Sequence, residues 1–143
     1  LNQLIKAELI NLPSQGTLNI HPALLPRHRG LFPYFCVIAA GETQTGVTIH
    51  WVDEKFDTGD LLLQERLTVE PTDTIISLSY KSAVTGAAML VEAVRLVAAG
   101  QPPRRPQPNH NVSYHSWPKP ADQRRFRQQG GKYGTIFELW QYM

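Results

Sequence analysis

Apolar and polar positions follow several distinct rhythms along the chain. Leu4, Ile5, Leu9, Ile10 and Leu12 fall close to helical spacing and Pro13 stops the run, so the pattern predicts a helix over 4–12. Thr17–Ile20 is a short run suited to a buried strand, and His21–Gly30 (HPALLPRHRG), with two prolines and a glycine, must be a loop. Pro33 suits the first turn of a helix that runs to Ala40 and closes at Gly41. Gly46–Val52 and Leu61–Val69, rich in β-branched, aromatic and aliphatic residues, read as strands on either side of an acidic loop, Asp53–Asp60.

After Pro71-Thr72-Asp73-Thr74, which supplies an N-terminal cap, apolar residues at 76, 78, 83, 84, 87, 88, 90, 91, 94, 97 and 98 predict a long helix over 75–99 that ends at Gly100. Those positions cover one broad face, as for a helix packed on a sheet. Ala121–Gln129 reads as a short basic helix and Ile136–Tyr142 as a short apolar one. Helices interleaved with strands indicate an α/β sheet. Only three strands are visible, few for burying so long a helix.

Composition divides this pattern in two. The chain has 143 residues, about one domain's worth. Residues 1–100 carry seven Lys/Arg against ten Asp/Glu, whereas 101–143 carry seven against two. Six of the eleven prolines lie between Pro102 and Pro120, a density that forbids helix and central strand. Residues 1–100 therefore read as the compact part, and 101–143 as a Pro-rich arm followed by short helices. The arm lies over the body or links onward; Tyr114 and Trp117 favour docking. The lone Cys36 excludes an internal disulfide and a multi-cysteine zinc site, suits a reducing cytoplasm, and reads as a small buried apolar residue. No apolar run is long enough to span a bilayer. The opening Leu-Asn-Gln suggests a segment of something longer.

Chemistry-bearing motifs are sparse. There is no GxGxxG, P-loop, GxSxG elbow or CxxC. There remain Asn19 and His21, two apart on one face at the end of a strand, and the acidic turn Asp57-Thr58-Gly59-Asp60. An amide and an imidazole aimed at one point suit a carbonyl oxygen that gains charge, with Asp57 orienting the imidazole and favouring its protonated form. The same residues also fit a turn-capping Asn, a loop His and an Asx-turn Asp. His50 reads as structural or as a substrate-side contact. A metal hydrolase using His21, His50 and Asp57 finds no local ligand motif.

The stretches NIHPALLPRHRG, GETQTGVTIH and FDTGDLLLQE, in this order over about residues 17–100, together resemble the folate-dependent formyltransferase family. The resemblance implies a partial, Rossmann-like formyltransferase sheet with flanking helices. It also implies transfer of a formyl group from 10-formyltetrahydrofolate to a small amine-bearing acceptor, without a metal. It maps the family's catalytic Asn, His and Asp onto Asn19, His21 and Asp57. Asp53, Asp57 and Gly59 are candidates for the cofactor side, and Arg27 and Arg29, in the loop after the pair, for an anionic acceptor.

Family members also carry an N-terminal part that supplies further sheet strands and a pterin-holding loop, and it is not among these residues. The resemblance therefore implies an unpaired edge at Thr17–His21, with either homo-oligomerisation or a completing chain, and weak folate binding by the segment alone. Two alternatives remain: a formyltetrahydrofolate hydrolase and a non-catalytic oligomeric module. Nucleic acid is not expected as a partner, because Arg124, Arg125 and Arg127 have no aromatic stacking platform beside them.

Overall fold

The computed structural model describes residues 4–100 and 102–142; Gln101, where the arm is predicted to begin, lies outside them. Ten elements follow in chain order: α1 (Ala7–Ile10), β1 (Leu18–His21), β2 (Arg29–Gly30), α2 (Pro33–Ala39), β3 (Gln44–Trp51), β4 (Leu61–Thr68), α3 (Ile75–Ala98), β5 (Tyr114–His115), α4 (Pro120–Gln128) and α5 (Ile136–Tyr142). The fold is α/β. Its main sheet has the order β1-β3-β4 and is antiparallel throughout.

β3 is the central strand and is buried from Thr45 to Trp51. One face of the sheet packs on α3 through Val47, Ile49, Trp51, Leu62, Met89 and Ala93. Gly86 allows the close approach: a Cβ there would stand 3.0 Å from Ile20 Cγ2. The other face carries Asn19, His21, Thr48 and His50, because residues directly opposite in an antiparallel pair share a face and Asn19 faces His50 while His21 faces Thr48. A register shift at Ile49/His50, where Leu63 and then Leu61 are the β4 partners, leaves Leu62 as the extra residue of a bulge beside His50.

α3 matches its predicted span. Thr74 and Ser77 form a reciprocal capping box, and Ser77 and Lys81 both donate to Asp73 at 2.7 Å. Its broad apolar face is only partly covered, however. Leu78, Met89 and Ala93 are buried, whereas Val84, Leu90, Val91 and Val94 are exposed. The predicted helix over 4–12 shrinks to Ala7–Ile10, since no side chain caps its start at Lys6 and so short a run cannot offset the cost of nucleation.

The arm docks along the body. Leu61 and Arg105 exchange backbone hydrogen bonds of 2.7 and 3.0 Å, Trp51 Nε1 donates to the Pro103 carbonyl, and the Arg104 guanidinium sits 3.7 Å above the Trp51 ring. Further on, β5 pairs in parallel with β2, so the predicted loop 21–30 ends in a short strand. α4 is basic on its surface but anchored by Phe126, which is buried and stacks on Phe35 of α2 at 4.6 Å. Among the described residues β1 has a partner on one side only, and no helix is long and apolar enough to cross a membrane.

Candidate active site

Three devices bring the polar face of the sheet to one point. Thr48, fully buried on β3, donates to the Ala23 carbonyl at 2.6 Å and accepts from Leu25 N–H and from Gln64 Nε2. This ties the proline-rich loop down over the sheet. The turn at Asp57 takes a left-handed backbone, φ 54°, and folds tightly onto the end of β3. A Cβ on Gly59 would lie 1.8 Å from the Trp51 carbonyl oxygen, so only glycine fits there. Finally, Gln107 of the arm donates to the carbonyls of Asp57 and Gly59 at 2.9 and 2.8 Å, and Arg29 in turn donates to Gln107 Oε1 at 2.7 Å.

Asp57 is the hub of what results. Its Oδ2 accepts the Gly30 N–H at 2.8 Å and lies 3.5 Å from His21 Nδ1. Its Oδ1 accepts from Asn19 Nδ2 at 3.4 Å and lies 3.5 Å from His50 Nε2. Asn19 Nδ2 also donates to His50 Nε2 at 3.1 Å, while His50 Nδ1 donates to the Trp51 carbonyl at 2.8 Å. Burial by itself would raise the Asp57 pKa. The neighbouring His50 and His21 imidazoles and the Gly30 N–H outweigh it and hold the carboxyl below its usual range. The hub is thus an ionised carboxylate.

Asp57 favours the protonated imidazole of His21, but the setting of the ring opposes it. It is buried, and desolvation outweighs the attraction of Asp57 and the bond to the His28 carbonyl, so its pKa falls below the ordinary 6.5. Its Nε2 donates to the His28 carbonyl at 2.8 Å. In the neutral ring Nδ1 is then a bare acceptor turned toward Asp57. The arrangement is therefore a proton acceptor beside a carboxylate that would stabilise the cation once formed.

This group opens on a cleft of about 600 Å³, whose walls include Asn19, His21, His50, Asp53 and Asp57. Aromatic residues complete it: Phe32 packs against Trp117 at 4.9 Å and Phe56 against Tyr114 at 6.3 Å, surfaces suited to a flat ring.

The sequence-predicted residues fare unequally. Asn19, His21 and Asp57 converge. Asp53 lines the cleft but is engaged by the Thr58 hydroxyl at 2.7 Å, and Gly59 serves the turn. Arg27 and Arg29 do not line the cleft: Arg27 pairs with Glu42, and Arg29 is held by Gln107. His50 is a full member of the cluster, not a bystander. Its position opposite Asn19 would have found it, had the strand register been known. Nothing in the sequence marks Gln107, which reaches the turn across 50 residues.

The chain is similar to known proteins over most of its length. A family model described as "Formyl transferase" matches residues 1–94. A methionyl-tRNA formyltransferase of Methylacidiphilum infernorum is 40% identical over 112 residues, covering 78% of this chain and 35% of that protein. The cytosolic 10-formyltetrahydrofolate dehydrogenase of Mus musculus is 40% identical over 132 residues, covering 85% of this chain and 15% of that one. Among solved structures, the formyltransferase PseJ from Anoxybacillus kamchatkensis, in complex with UDP-4,6-dideoxy-4-formamido-L-AltNAc and tetrahydrofolate, superposes with a TM-score of 0.72. It is 26% identical, and the match covers 88% of this chain and 64% of that one. The chain thus spans only about a third or less of the two curated relatives' length.

Proposed function

This chain belongs to the formyl transferase family, and from that premise we propose that its cleft transfers a formyl group from 10-formyltetrahydrofolate to a small amine-bearing acceptor. The observation that carries the reading is the ionised Asp57 shared by Asn19, His21 and His50 at the floor of an aromatic-walled cleft. The amine nitrogen attacks the formyl carbon and the carbonyl oxygen takes up negative charge. Asn19 exchanges its longer bond, the 3.4 Å contact to Asp57, for a bond to that oxygen. The proton lost by the amine passes to His21, and Asp57 stabilises the imidazolium that forms. The carbon–nitrogen bond to the folate then breaks, and the proton leaves with the folate nitrogen.

With Arg27 and Arg29 engaged elsewhere, recognition of the acceptor and of the folate falls to the aromatic walls. The exposed Ile20 on the edge strand and the exposed Val84, Val91 and Val94 on α3 support a second part of the assembly lying there, either a completing segment or a second copy. A monomer by light scattering at micromolar concentration, with no apolar dye bound, would remove that element. Reduced-folate chemistry and the single Cys36 agree with a cytoplasmic protein.

The function itself is tested by incubating the protein with 10-formyltetrahydrofolate and amine-bearing nucleotide sugars, and following release of tetrahydrofolate together with the N-formyl product. Acceptor-dependent release that is lost in His21→Asn supports transfer. Formate release without any acceptor would establish the hydrolase instead.

A further inference from the structure

A second cluster lies beside the cleft and uses none of its three converging residues. His28 follows the proline-rich stretch, Cys36 sits in α2, and His115 is on the arm. One ligating atom from each lies within 4.8 Å of the other two. His28 and Cys36 are buried and His115 is half-buried. Distant parts of the chain therefore deliver two imidazoles and a thiol to one point.

The details favour a ligand set over mere packing. His28 Nδ1 and His115 Nε2 face each other at 3.2 Å. Two imidazole nitrogens on a tetrahedral zinc, at about 2.0–2.1 Å each, stand roughly 3.3 Å apart. His28 Nε2 bonds to the Glu42 carboxylate at 2.9 Å. That partner fixes the ring proton on Nε2 and leaves Nδ1 bare toward the cluster, as a carboxylate behind a metal-ligating histidine does. Cys36 makes only a 3.8 Å contact to the Leu31 carbonyl. Burial, with Asp122 and Glu42 nearby, pushes its thiol up to about 11, so it is no reactive nucleophile on its own.

We propose that His28, Cys36 and His115 bind a zinc-class divalent cation, with Glu42 orienting His28 from behind. Binding displaces the thiol proton to solvent and forms the sulfur–metal bond, with no change of oxidation state. The sulfur closes in to reach the Zn–S distance of about 2.3 Å. The fourth position faces an adjoining cavity of about 300 Å³, where water completes the coordination. The cation would act as a clip. It joins β5 of the arm to the loop beside β2, next to the Gly30 N–H that holds Asp57.

The test is a titration of chelator-treated, reduced protein with Co²⁺. The expected result is uptake of one equivalent, with a near-ultraviolet thiolate-to-cobalt absorption and the visible bands of tetrahedral cobalt, all displaced by Zn²⁺. Cys36→Ala should abolish the thiolate band, and Glu42→Gln should weaken binding about tenfold. His115→Ala alters a half-buried arm residue and gives a second variant should Cys36→Ala fold poorly; it should weaken binding by at least that much. Glu92→Gln, on the exposed face of α3, should leave the titration unchanged. No tetrahedral spectrum, or a thiolate band that survives Cys36→Ala, or affinity unchanged in His115→Ala, would overturn the proposal.

Discussion

Replacing Asp57 by asparagine removes the one negative charge at the centre of the cluster while leaving its frame in place. Asparagine tolerates the left-handed backbone that Asp57 adopts, so the turn into Gly59 is kept. Its single carbonyl oxygen can still accept the Gly30 N–H. What disappears is the carboxylate 3.5 Å from His21 Nδ1, where an imidazolium forms as the amine gives up its proton. At that distance and an effective dielectric near 20, the lost attraction is about 4–5 kcal/mol. That is an upper figure for the step and corresponds to roughly a thousandfold in kcat. Because Asp57 is one of the influences raising the proton affinity of His21, its loss lowers that pKa further. The ascending limb of the pH–rate profile should therefore move to lower pH while the plateau falls. Initial rates of tetrahydrofolate release from pH 5 to 9 give both quantities. Asp53→Asn, which alters a cleft carboxylate outside the cluster, should cost little by comparison. Asp57→Asn within about threefold of the parent, or an equal loss in Asp53→Asn, would refute the reasoning.

Other outcomes follow from the same contacts. His21 and His115 have folded pKa values below 6.5, so the unfolded chain takes protons first; their stabilisation is complete above 6.5 and is lost as pH falls through that value toward the folded ones. Asp57, also depressed, adds a further loss only below its unfolded value, and urea unfolding at pH 7 and pH 5 should show the first effect, reduced in His21→Gln. Thr48→Val keeps the shape but leaves Leu25 N–H and Gln64 Nε2 short of an acceptor; a loss of about 1–3 kcal/mol in the same urea assay is expected. Gln107→Ala frees the carbonyls of Asp57 and Gly59 and should lower kcat about tenfold with the far-ultraviolet circular dichroism unchanged.

Local chemistry made much of this readable in advance. The two long strands and α3 stand where their periodicity and caps put them, because a β-branched run and an uninterrupted apolar stripe each satisfy only one geometry. Asn19 and His21 share a face because alternation in a strand leaves no choice. What the sequence could not convey was register and return. His50 joins the site because it pairs across from Asn19, a fact of strand alignment that a run of apolar residues does not encode. Gln107 and His115 reach their places because the arm folds back, held by backbone bonds at Leu61–Arg105 and β2–β5. The lowered proton affinity of His21 lies outside the sequence for a related reason. Proximity to Asp57 was foreseeable, but the burial that outweighs it depends on the loop closing overhead.

The arm is thus a working part of the site. Arg29, Gln107 and the turn carbonyls form one chain of hydrogen bonds, and the Gly30–His115 pairing sets the strand from which the Gly30 N–H meets Asp57. An N–H donated to a carboxylate stabilises its ionised form, so movement of the arm changes the basicity of the hub as well as its position. If β5 were displaced, Asp57 would lose the Gly30 N–H, its pKa would rise, and the stabilisation of protonated His21 would weaken with it. The arm thus positions Asp57 through Gln107 and tunes its charge through the β2–β5 pair, and because the bonds of Gln107 are to the turn and to Arg29, Gln107→Ala should lower the rate without disturbing the main sheet beneath.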